Sequence, residues 1–302
     1  MMLTIPFFFR YWSGVIVCNL LITAAVLGFI DDRRDLSPKL KLIVQIAIGG
    51  IAFWSGISSE TMLEWMGISS GYGLGLMFTV LLIIAYMNAF NLIDGIDGLS
   101  SGIALLNFGL FIPIFYILEE QFFLMLTLGL FGSVLAFLRF NFHPAKIFMG
   151  DTGSLLLGLF NIICTLKITS EGSTMMGIIA FGTLMLPFMD MLRLFVGRIL
   201  TSKSPFKADK NHYHHLLIAL AWDHRKASIA MYGVHLFLIG ASYMLSRTFP
   251  AGVCLFLIPI LGLWSFALIQ FLRSIKLRRR VKESKKSAQV KIERNHLLER
   301  LL

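Results

Sequence analysis

Charged residues are scarce in this sequence, and their shortage decides the class of protein. Only 15% of the 302 residues are Asp, Glu, Lys or Arg, whereas 57% are hydrophobic. Soluble domains carry roughly 25% charged residues, so this chain has too little polar surface to cover a compact globule in water. Its mean hydropathy of +0.77 and its long apolar runs predict a protein that spans a lipid bilayer.

Cysteine is also rare, which argues against a disulfide framework or a cysteine metal site. Cys18, Cys164 and Cys254 each lie inside an apolar run and lack metal-ligand spacing. The net charge of +10 is uneven, because Arg273–Leu302 holds eleven Lys and Arg against three Glu. A basic tail directly after an apolar run is typical of a membrane flank that contacts anionic lipid. We therefore expect no nucleic-acid partner.

Nine apolar segments can each form a helix that crosses the membrane. They occupy about 11–30, 40–56, 74–90, 99–117, 121–140, 153–169, 174–199, 227–247 and 249–272. Most approach the roughly 20 residues that a spanning helix needs, and none shows the alternation of a barrel strand. The sequence thus predicts an all-α, polytopic membrane helix bundle with about nine transmembrane helices at 1–275, followed by a basic cytoplasmic tail at 276–302.

Loop charge predicts which side of the membrane each loop occupies. With nine spans, the loops that contain Lys or Arg all fall on one face, at 31–41, 139–151 and 200–226, together with the tail and the loop 91–98. The loops on the opposite face contain neither residue. Because cytoplasmic loops carry the excess of Lys and Arg, we expect the first face to be cytoplasmic.

The first of four polar clusters on this face is an acidic pair, Asp31 and Asp32, at the end of the first span. Two adjacent carboxylates repel each other unless a cation or a proton stabilises them, although a charge pair reaching into water is the alternative. Ser37 and Pro38 fit the N-cap and first position of the next helix. Near the acidic pair, Lys41 could hold a phosphate as a point charge.

The second cluster combines two asparagines with two Asp-Gly pairs. Asn88 and Asn91 end a span, and Asp94 and Asp97 each precede a glycine that permits a tight loop. A purely structural turn needs only one Asp-Gly pair. It does not account for two such pairs that follow two asparagines. Four oxygen-bearing side chains so close together suit a hard cation or the ribose and uracil edge of a nucleotide.

The third cluster places Asp151 between Gly150 and Gly153, at the start of an apolar helix. Asp151 or Thr152 could simply cap that helix. The same arrangement offers amide groups and a carboxylate to a Mg-phosphate unit.

The fourth cluster is a run of histidines in the longest loop, at His212, His214 and His215. With Lys207 and Lys210 nearby, it forms a dense cationic or hydrogen-bonding surface suited to a diphosphate. A zinc site is the competing interpretation, weakened by the absence of cysteine and the predominance of oxygen ligands.

Taken in order, the segments GFIDDRRDLSPKLKL, NAFNLIDGIDGL, FMGDTGSL and NHYHH resemble the polyprenyl-phosphate N-acetylhexosamine-1-phosphate transferase family. The resemblance runs from about Gly28 to His215 and implies transfer of a sugar-1-phosphate from a UDP-amino sugar to undecaprenyl phosphate. The His-x-His-His form resembles the branch that uses UDP-GlcNAc or a related amino sugar for O-antigen, enterobacterial antigen, teichoic acid or capsule. The peptidoglycan branch usually has three consecutive histidines.

The resemblance also implies roles for the reacting groups. Asp31 and Asp32 would lie at the reacting phosphates, and Lys41 would hold the lipid phosphate. The loop histidines would contact the phosphates or the sugar: His212, His214 and His215.

Metal and nucleotide roles follow from the same resemblance. Asn91 and Asp151 would bind Mg²⁺, with Mn²⁺ as a possible substitute. Asn88, Asp94 and Asp97 would position the nucleotide. The implied setting is the bacterial inner membrane with a cytoplasmic active face, and a homodimer is allowed. Members usually carry two further spans before the acidic pair, so we expect either an upstream start or a shortened, poorly active form.

Two other functions use similar chemistry. An intramembrane Mg-dependent prenyltransferase would need two acidic motifs of the Asn-Asp-x-x-Asp kind and no histidine cluster. A transporter would place charges near the midplane and often show inverted repeats. Here the spans are nearly free of charge apart from Asp190, Arg193 and Arg198, and no repeat is visible.

Overall fold

The computed structural model describes residues 4–69, 71–200, 223–271 and 274–275, and every regular element within these ranges is an α-helix. In chain order the helices are α1 Thr4–Arg34, α2 Pro38–Trp54, α3 Glu60–Trp65, α4 Tyr72–Ile93, α5 Leu99–Ile117, α6 Gln121–Asn141, α7 Gly150–Glu171, α8 Thr174–Leu200, α9 His224–Thr248 and α10 Ala251–Phe271. The predicted all-α membrane bundle is confirmed.

Eight of these helices are long and apolar enough to cross a membrane, namely α1 and α4 to α10. The chain is therefore a multi-pass membrane protein. Helix α2 has 17 residues, about 25 Å at 1.5 Å per residue, against a hydrocarbon core of about 30 Å. Helix α3 is a short element between α2 and α4. Just before it, the amide and hydroxyl of Ser59 contact Thr79 Oγ1 of α4 at 3.0 and 2.9 Å.

Helix α7 forms the centre of the bundle. It packs against α1, α3, α4, α5 and α8, and almost every residue from Ser154 to Thr169 is buried. Helices in lipid associate through close van der Waals contact and interhelical hydrogen bonds, because lipid tails are as apolar as leucine. The position of α7 is therefore fixed by neighbours on all sides.

A chain of buried polar side chains joins α5, α7 and α9 inside the bundle. Asn107 Nδ2 donates to Asn161 Oδ1 at 2.8 Å, and His235 Nε2 lies 2.7 Å from Asn107 Oδ1. All three side chains are fully buried, so each relies on the others for hydrogen bonds that water cannot supply. This chain fixes the rotation of α9 against the rest of the bundle.

Gly28 allows α1 and α7 to approach until their backbones touch. A Cβ atom at Gly28 would overlap the carbonyl of Asp151 and the Cα of Thr152. Gly150, at the start of α7, has φ +64°, and a Cβ there would lie 2.8 Å from Asp32 Oδ2. Both glycines are thus required where the end of α1 meets the start of α7.

The helices extend further into the polar motifs than hydropathy indicated. Helix α1 continues to Arg34, α4 to Ile93, and α7 begins at Gly150, whereas the apolar segments ended at 30 and 90 and began at 153. A polar terminal turn keeps its helical hydrogen bonds when its free ends find partners. Asp31, Asn91 and Asp151 therefore lie in helix termini, which are more rigid than loops.

We expect Gly28→Ala to destabilise the protein by about 1–3 kcal/mol, the usual cost of overpacking, because the methyl group must push α7 away from α1. Gly50→Ala in α2 is the matched control, since nothing lies within 4 Å of its Cβ position. Thermal unfolding in detergent measures both. Unfolding of both variants at the wild-type temperature would contradict the close contact.

Candidate active site

The polar motifs meet at one end of the bundle because alternating helices run in opposite directions. The carboxyl ends of α1, α4 and α6 lie there together with the amino ends of α2, α5, α7 and α9. Ser37 caps α2 as predicted, with the Leu40 amide donating to Ser37 Oγ at 3.3 Å and Pro38 in the first turn.

Asp32 caps the amino end of α7 from a different helix. Its carboxylate accepts hydrogen bonds from the Asp151 amide at 2.8 Å, the Thr152 amide at 3.1 Å and the Thr152 hydroxyl at 2.6 Å. These bonds satisfy amides that have no partner within α7 and place a negative charge at its positive end. The cap is therefore neither Asp151 nor Thr152, and the Asp151 side chain is available for other contacts.

Asp151 is held between α2 and α4 by two polar side chains. Asn91 Nδ2 donates to Asp151 Oδ1 at 2.8 Å and lies the same distance from Ser154 Oγ. Lys41 Nζ is 3.4 Å from Asp151 Oδ2 and also forms an ion pair with Asp31. The other oxygen of Asp31 accepts from the Leu36 amide at 2.8 Å. One lysine thus bridges two carboxylates from distant parts of the chain.

Asn88 is occupied away from these carboxylates. Its Nδ2 donates to Gln45 Oε1 at 2.9 Å and to the Ile84 carbonyl at 2.7 Å. The first bond joins α2 to α4, on the face of α2 that also carries Lys41. Asn88 is not among the described residues that line the cavity beside Asp151.

A cavity of about 340 Å³ opens beside Asp151. Its walls combine three carboxylates with an aromatic ring, and none of the described residues that line it is Lys or Arg. Phe148 is 77% exposed, so its ring is accessible to a ligand or to the membrane boundary. The lining residues are Asn91, Asp94, Gly95, Ile96, Asp97, Asn141, Phe148, Met149, Gly150, Asp151 and His224.

Asp94 shows how strongly negative this cavity is. Burial, reinforced by the negative charges of Asp151 and Asp32, raises the pKa of Asp94 to about 6, although a hydrogen bond from Ser100 opposes the shift. A carboxyl group with a pKa of about 6 is about one-tenth protonated at pH 7. A bound cation would stabilise its ionised form.

The side chains around Asp151 fit a hard divalent cation. They offer carboxylate oxygens from Asp31, Asp94 and Asp151 and the amide group of Asn91. Oxygen ligands of this kind suit Mg²⁺ or Mn²⁺ better than zinc. The arrangement could therefore hold a metal ion and, beside it, the phosphates that such an ion neutralises.

Asp97 forms a second polar group on the cavity wall. His143 Nδ1 lies 2.8 Å from Asp97 Oδ2, which also accepts from the Ala145 amide at 3.1 Å. His224 Nδ1 lies 3.2 Å from Asp97 Oδ1. Although burial opposes it, these hydrogen bonds hold the pKa of Asp97 below its ordinary value.

Most of the predicted site residues lie at this end of the bundle. The structure brings together Asp31, Asp32, Lys41, Asn91 and Asp151, with Asp94 and Asp97 on the adjoining cavity wall. The predicted residues His212, His214 and His215 lie outside the described part of the chain.

Sequence reasoning missed two residues of the cavity, Phe148 and His224. The aromatic residue two positions before Gly150 of the third cluster could have indicated Phe148. His224 gave no usable signal, because a single histidine near a helix start is usually solvated.

Residues 13–170 match the sequence model of glycosyl transferase family 4, which is just over half of the chain. The chain belongs to glycosyl transferase family 4. The matched region runs from Ser13 in α1 to Ser170 in α7, and so includes Asp31, Lys41, Asn91 and Asp151. This result confirms the family that the motifs resembled.

Named relatives of this family 4 chain act on polyprenyl phosphates. It is 35% identical over 244 residues to a probable undecaprenyl-phosphate N-acetylglucosaminyl 1-phosphate transferase of Bacillus subtilis, covering 78% of this chain and 66% of the relative. It is 31% identical to a decaprenyl-phosphate N-acetylglucosaminephosphotransferase of Mycobacterium leprae, covering 74% and 63%. A third, the undecaprenyl-phosphate alpha-N-acetylglucosaminyl 1-phosphate transferase of Escherichia coli K12, is 30% identical, covering 67% and 58%. In each case the matched region spans less than two thirds of the relative.

We expect cation affinity to fall as the pH drops through about 6, the pKa of Asp94. Below that pH Asp94 is protonated and loses the charge that attracts the cation, so affinity should approach a tenfold loss per pH unit. Titration of Mn²⁺ followed by electron paramagnetic resonance measures this change. Asp94→Asn should flatten the dependence of Mn²⁺ affinity on pH, whereas the control Asp35→Asn, at an exposed position, should leave it unchanged. If the profile of Asp94→Asn matched that of the wild type, Asp94 would be excluded as the cause.

Proposed function

We propose that this chain transfers N-acetylglucosamine-1-phosphate from UDP-N-acetylglucosamine to undecaprenyl phosphate and releases UMP. The observation that carries the proposal is Asp151, held by Asn91 and Lys41 beside Asp31 at the edge of a cavity. The names of the three relatives support the lipid acceptor and the amino sugar. The product would initiate a glycan of the cell envelope.

We propose that the site faces the cytoplasm from the bacterial inner membrane. Lys and Arg are concentrated in the loops at this end of the bundle, including 31–41 and 139–151, and such loops are retained in the cytoplasm. This sidedness suits the substrates. The acceptor keeps its hydrocarbon chain in the bilayer, while its phosphate meets a water-soluble nucleotide at the membrane boundary.

The proposed reaction is a phosphoryl transfer in which one bond replaces another. An oxygen of the lipid phosphate attacks the β-phosphorus of the UDP-sugar, and the bond from that phosphorus to the bridging oxygen breaks. UMP leaves with the electron pair of the broken bond, and a lipid diphosphate sugar remains. Such transfers depend on positioning and on neutralising charge more than on a strong base.

Each charged side chain has a proposed part in that neutralisation. Asp151 and Asn91 would hold Mg²⁺, which supplies charge neutralisation for the donor diphosphate when bound. Lys41 would hold the acceptor phosphate as a point charge. Asp31, bonded to Lys41 and the Leu36 amide, would keep that lysine in place and could accept the proton of the lipid phosphate.

Asp32 would contribute to catalysis through α7. Its three hydrogen bonds hold the first turn of α7, and with it the backbone of Asp151. The loop histidines are proposed to contact the diphosphate or the sugar: His212, His214 and His215.

We further propose that the uracil base lies at the end of the cavity that contains Phe148 and Asp97. An exposed aromatic ring provides a stacking surface worth about 1–3 kcal/mol per base. Asp97, held ionised, would repel phosphates and accept a hydrogen bond from a base N–H. The diphosphate would then lie toward Asp151.

The reaction class is tested with purified protein, undecaprenyl phosphate, UDP-GlcNAc and Mg²⁺, by following the nucleotide released. We expect UMP, with loss of turnover in EDTA and recovery with Mg²⁺ or Mn²⁺. Parallel assays with UDP-GalNAc and UDP-glucose test the donor sugar. Release of UDP would mean glycosyl transfer and would contradict the proposal.

Asp151→Asn should reduce UMP release by at least about 100-fold, beyond the 10–100-fold loss typical of residues that only support a metal ligand. Asp35→Asn is the matched control, because Asp35 lies just beyond α1, has φ +45° and contacts none of the site residues through its side chain among the described contacts. Asparagine tolerates this backbone conformation. A near-normal rate in a correctly inserted Asp151→Asn protein would show that this carboxylate is not required.

A further inference from the structure

Two separate elements converge on the carboxylate of Asp97. His143 and the Ala145 amide come from the loop between α6 and α7, and His224 is the first residue of α9. Both imidazoles present Nδ1 to Asp97, one to each carboxylate oxygen. The side chain of Asp97 is 13% exposed and lines the cavity together with His224.

The backbone of the same turn is held by different side chains. Ser228 Oγ donates to the Asp97 carbonyl at 2.8 Å, and Tyr232 OH donates to the Gly98 carbonyl at 2.5 Å. The Gly98 amide donates to Asn141 Oδ1 at 3.2 Å. The backbone of the turn is therefore held without the histidines, which contact this turn at the Asp97 carboxylate and lie against each other with ring centroids 5.5 Å apart.

A metal ion is the obvious alternative, because an aspartate and two histidines form a familiar ligand set. Ligand atoms bound to zinc at about 2.0–2.2 Å in a tetrahedron lie roughly 3.4 Å apart. Here the His143 nitrogen is 2.8 Å from Asp97 Oδ2, and that oxygen also accepts from the Ala145 amide at 3.1 Å. These are hydrogen-bond distances, so the direct imidazole–carboxylate contact is the better interpretation.

We propose that His143 and His224 are positioning residues that hold the Asp97 carboxylate in one orientation for recognition of the donor nucleotide. The inference rests on the proposed function and adds two residues to it. Oδ2 of Asp97 is hydrogen-bonded to His143 and to the Ala145 amide, and Oδ1 lies 3.2 Å from His224 Nδ1. The carboxylate therefore presents its remaining lone pairs in fixed directions, which favours a ligand N–H and disfavours a phosphate oxygen. The histidines should therefore affect binding and selectivity for the nucleotide, with little effect on the transfer step.

The test compares His143→Leu and His224→Leu with His143→Asn and His224→Asn. Asparagine places an amide N–H near the position of Nδ1, so it can still donate to Asp97, whereas leucine cannot. We expect each leucine variant to raise the donor KM and the Kd for UMP about 10–100-fold, with kcat and the acceptor KM changed less than threefold. Each asparagine variant should recover much of the loss.

Combining these changes with Asp97→Asn separates positioning from general packing. If the histidines act through the carboxylate, the leucine substitutions should add nothing to the loss of UMP affinity in the Asp97→Asn protein. His296→Leu, in the basic tail, is the histidine control. Thermal unfolding should be similar in all variants, because Ser228 and Tyr232 still hold the turn.

Three results would overturn the inference. The first is a leucine variant that lowers kcat without changing the affinity for UMP. The second is a leucine substitution that lowers UMP affinity as much in the Asp97→Asn protein as in the wild type. The third is zinc that is bound to the wild-type protein and lost from both leucine variants. Calorimetry with UMP measures nucleotide binding without turnover. It therefore tests the role of the histidines separately from the proposed transferase function. A protein that binds UMP but transfers another sugar phosphate would refute only the proposed donor, whereas one that binds no uridine nucleotide would refute both.

Discussion

The contact between the end of α1 and the start of α7 is the constraint on which the rest of the site depends. At a membrane boundary, the free amides at a helix start need partners, because water is only partly available there. Asp32 supplies these partners from α1, and Gly28 and Gly150 allow the two backbones to approach closely enough. Asp151 thereby gains a fixed position at the amino end of the most enclosed helix of the bundle.

Charge is distributed unevenly around that contact, and this imbalance explains the chemistry better than any single residue does. Asp31 and Asp151 share Lys41, while Asp94 has no basic partner among the described contacts and carries a raised pKa. A region with more carboxylates than cations is poorly suited to phosphate alone. It becomes suited to phosphate once a divalent cation is bound, and so metal and diphosphate are expected to bind together.

Local patterns predicted what depends on neighbours in the sequence. Apolar runs located α2 and the eight longer spanning helices of the described chain, and Ser37-Pro38 located the start of α2, because helix spans and caps are determined by residues within a few positions. The motifs also contain Asp31, Lys41, Asn91 and Asp151, which the structure brings together at one end of the bundle. Asp190 and Arg193 also show a local rule at work, because residues three apart on a helix share a face and these two form an ion pair at 3.0 Å.

Contacts between distant segments could not be predicted in the same way. Nothing near Asp32 in the sequence indicates that it caps a helix more than a hundred residues later. The same is true of Asn88, which bonds Gln45 of α2, and of His224, which reaches Asp97 from α9. Each of these roles depends on how helices pack, and the residues that determine packing here are glycines and buried amides with no distinct local pattern.

The length of α7 also sets how deep in the bilayer the reacting groups lie. Helix α7 has 22 residues, about 33 Å at 1.5 Å per residue, which slightly exceeds a hydrocarbon core of about 30 Å. Asp151 lies in the first turn of α7, at the end of a helix just long enough to reach the edge of that core. If the acceptor is the proposed lipid phosphate, membrane thickness becomes part of substrate alignment, since a thicker bilayer would draw the carboxylates below the plane of the lipid phosphates.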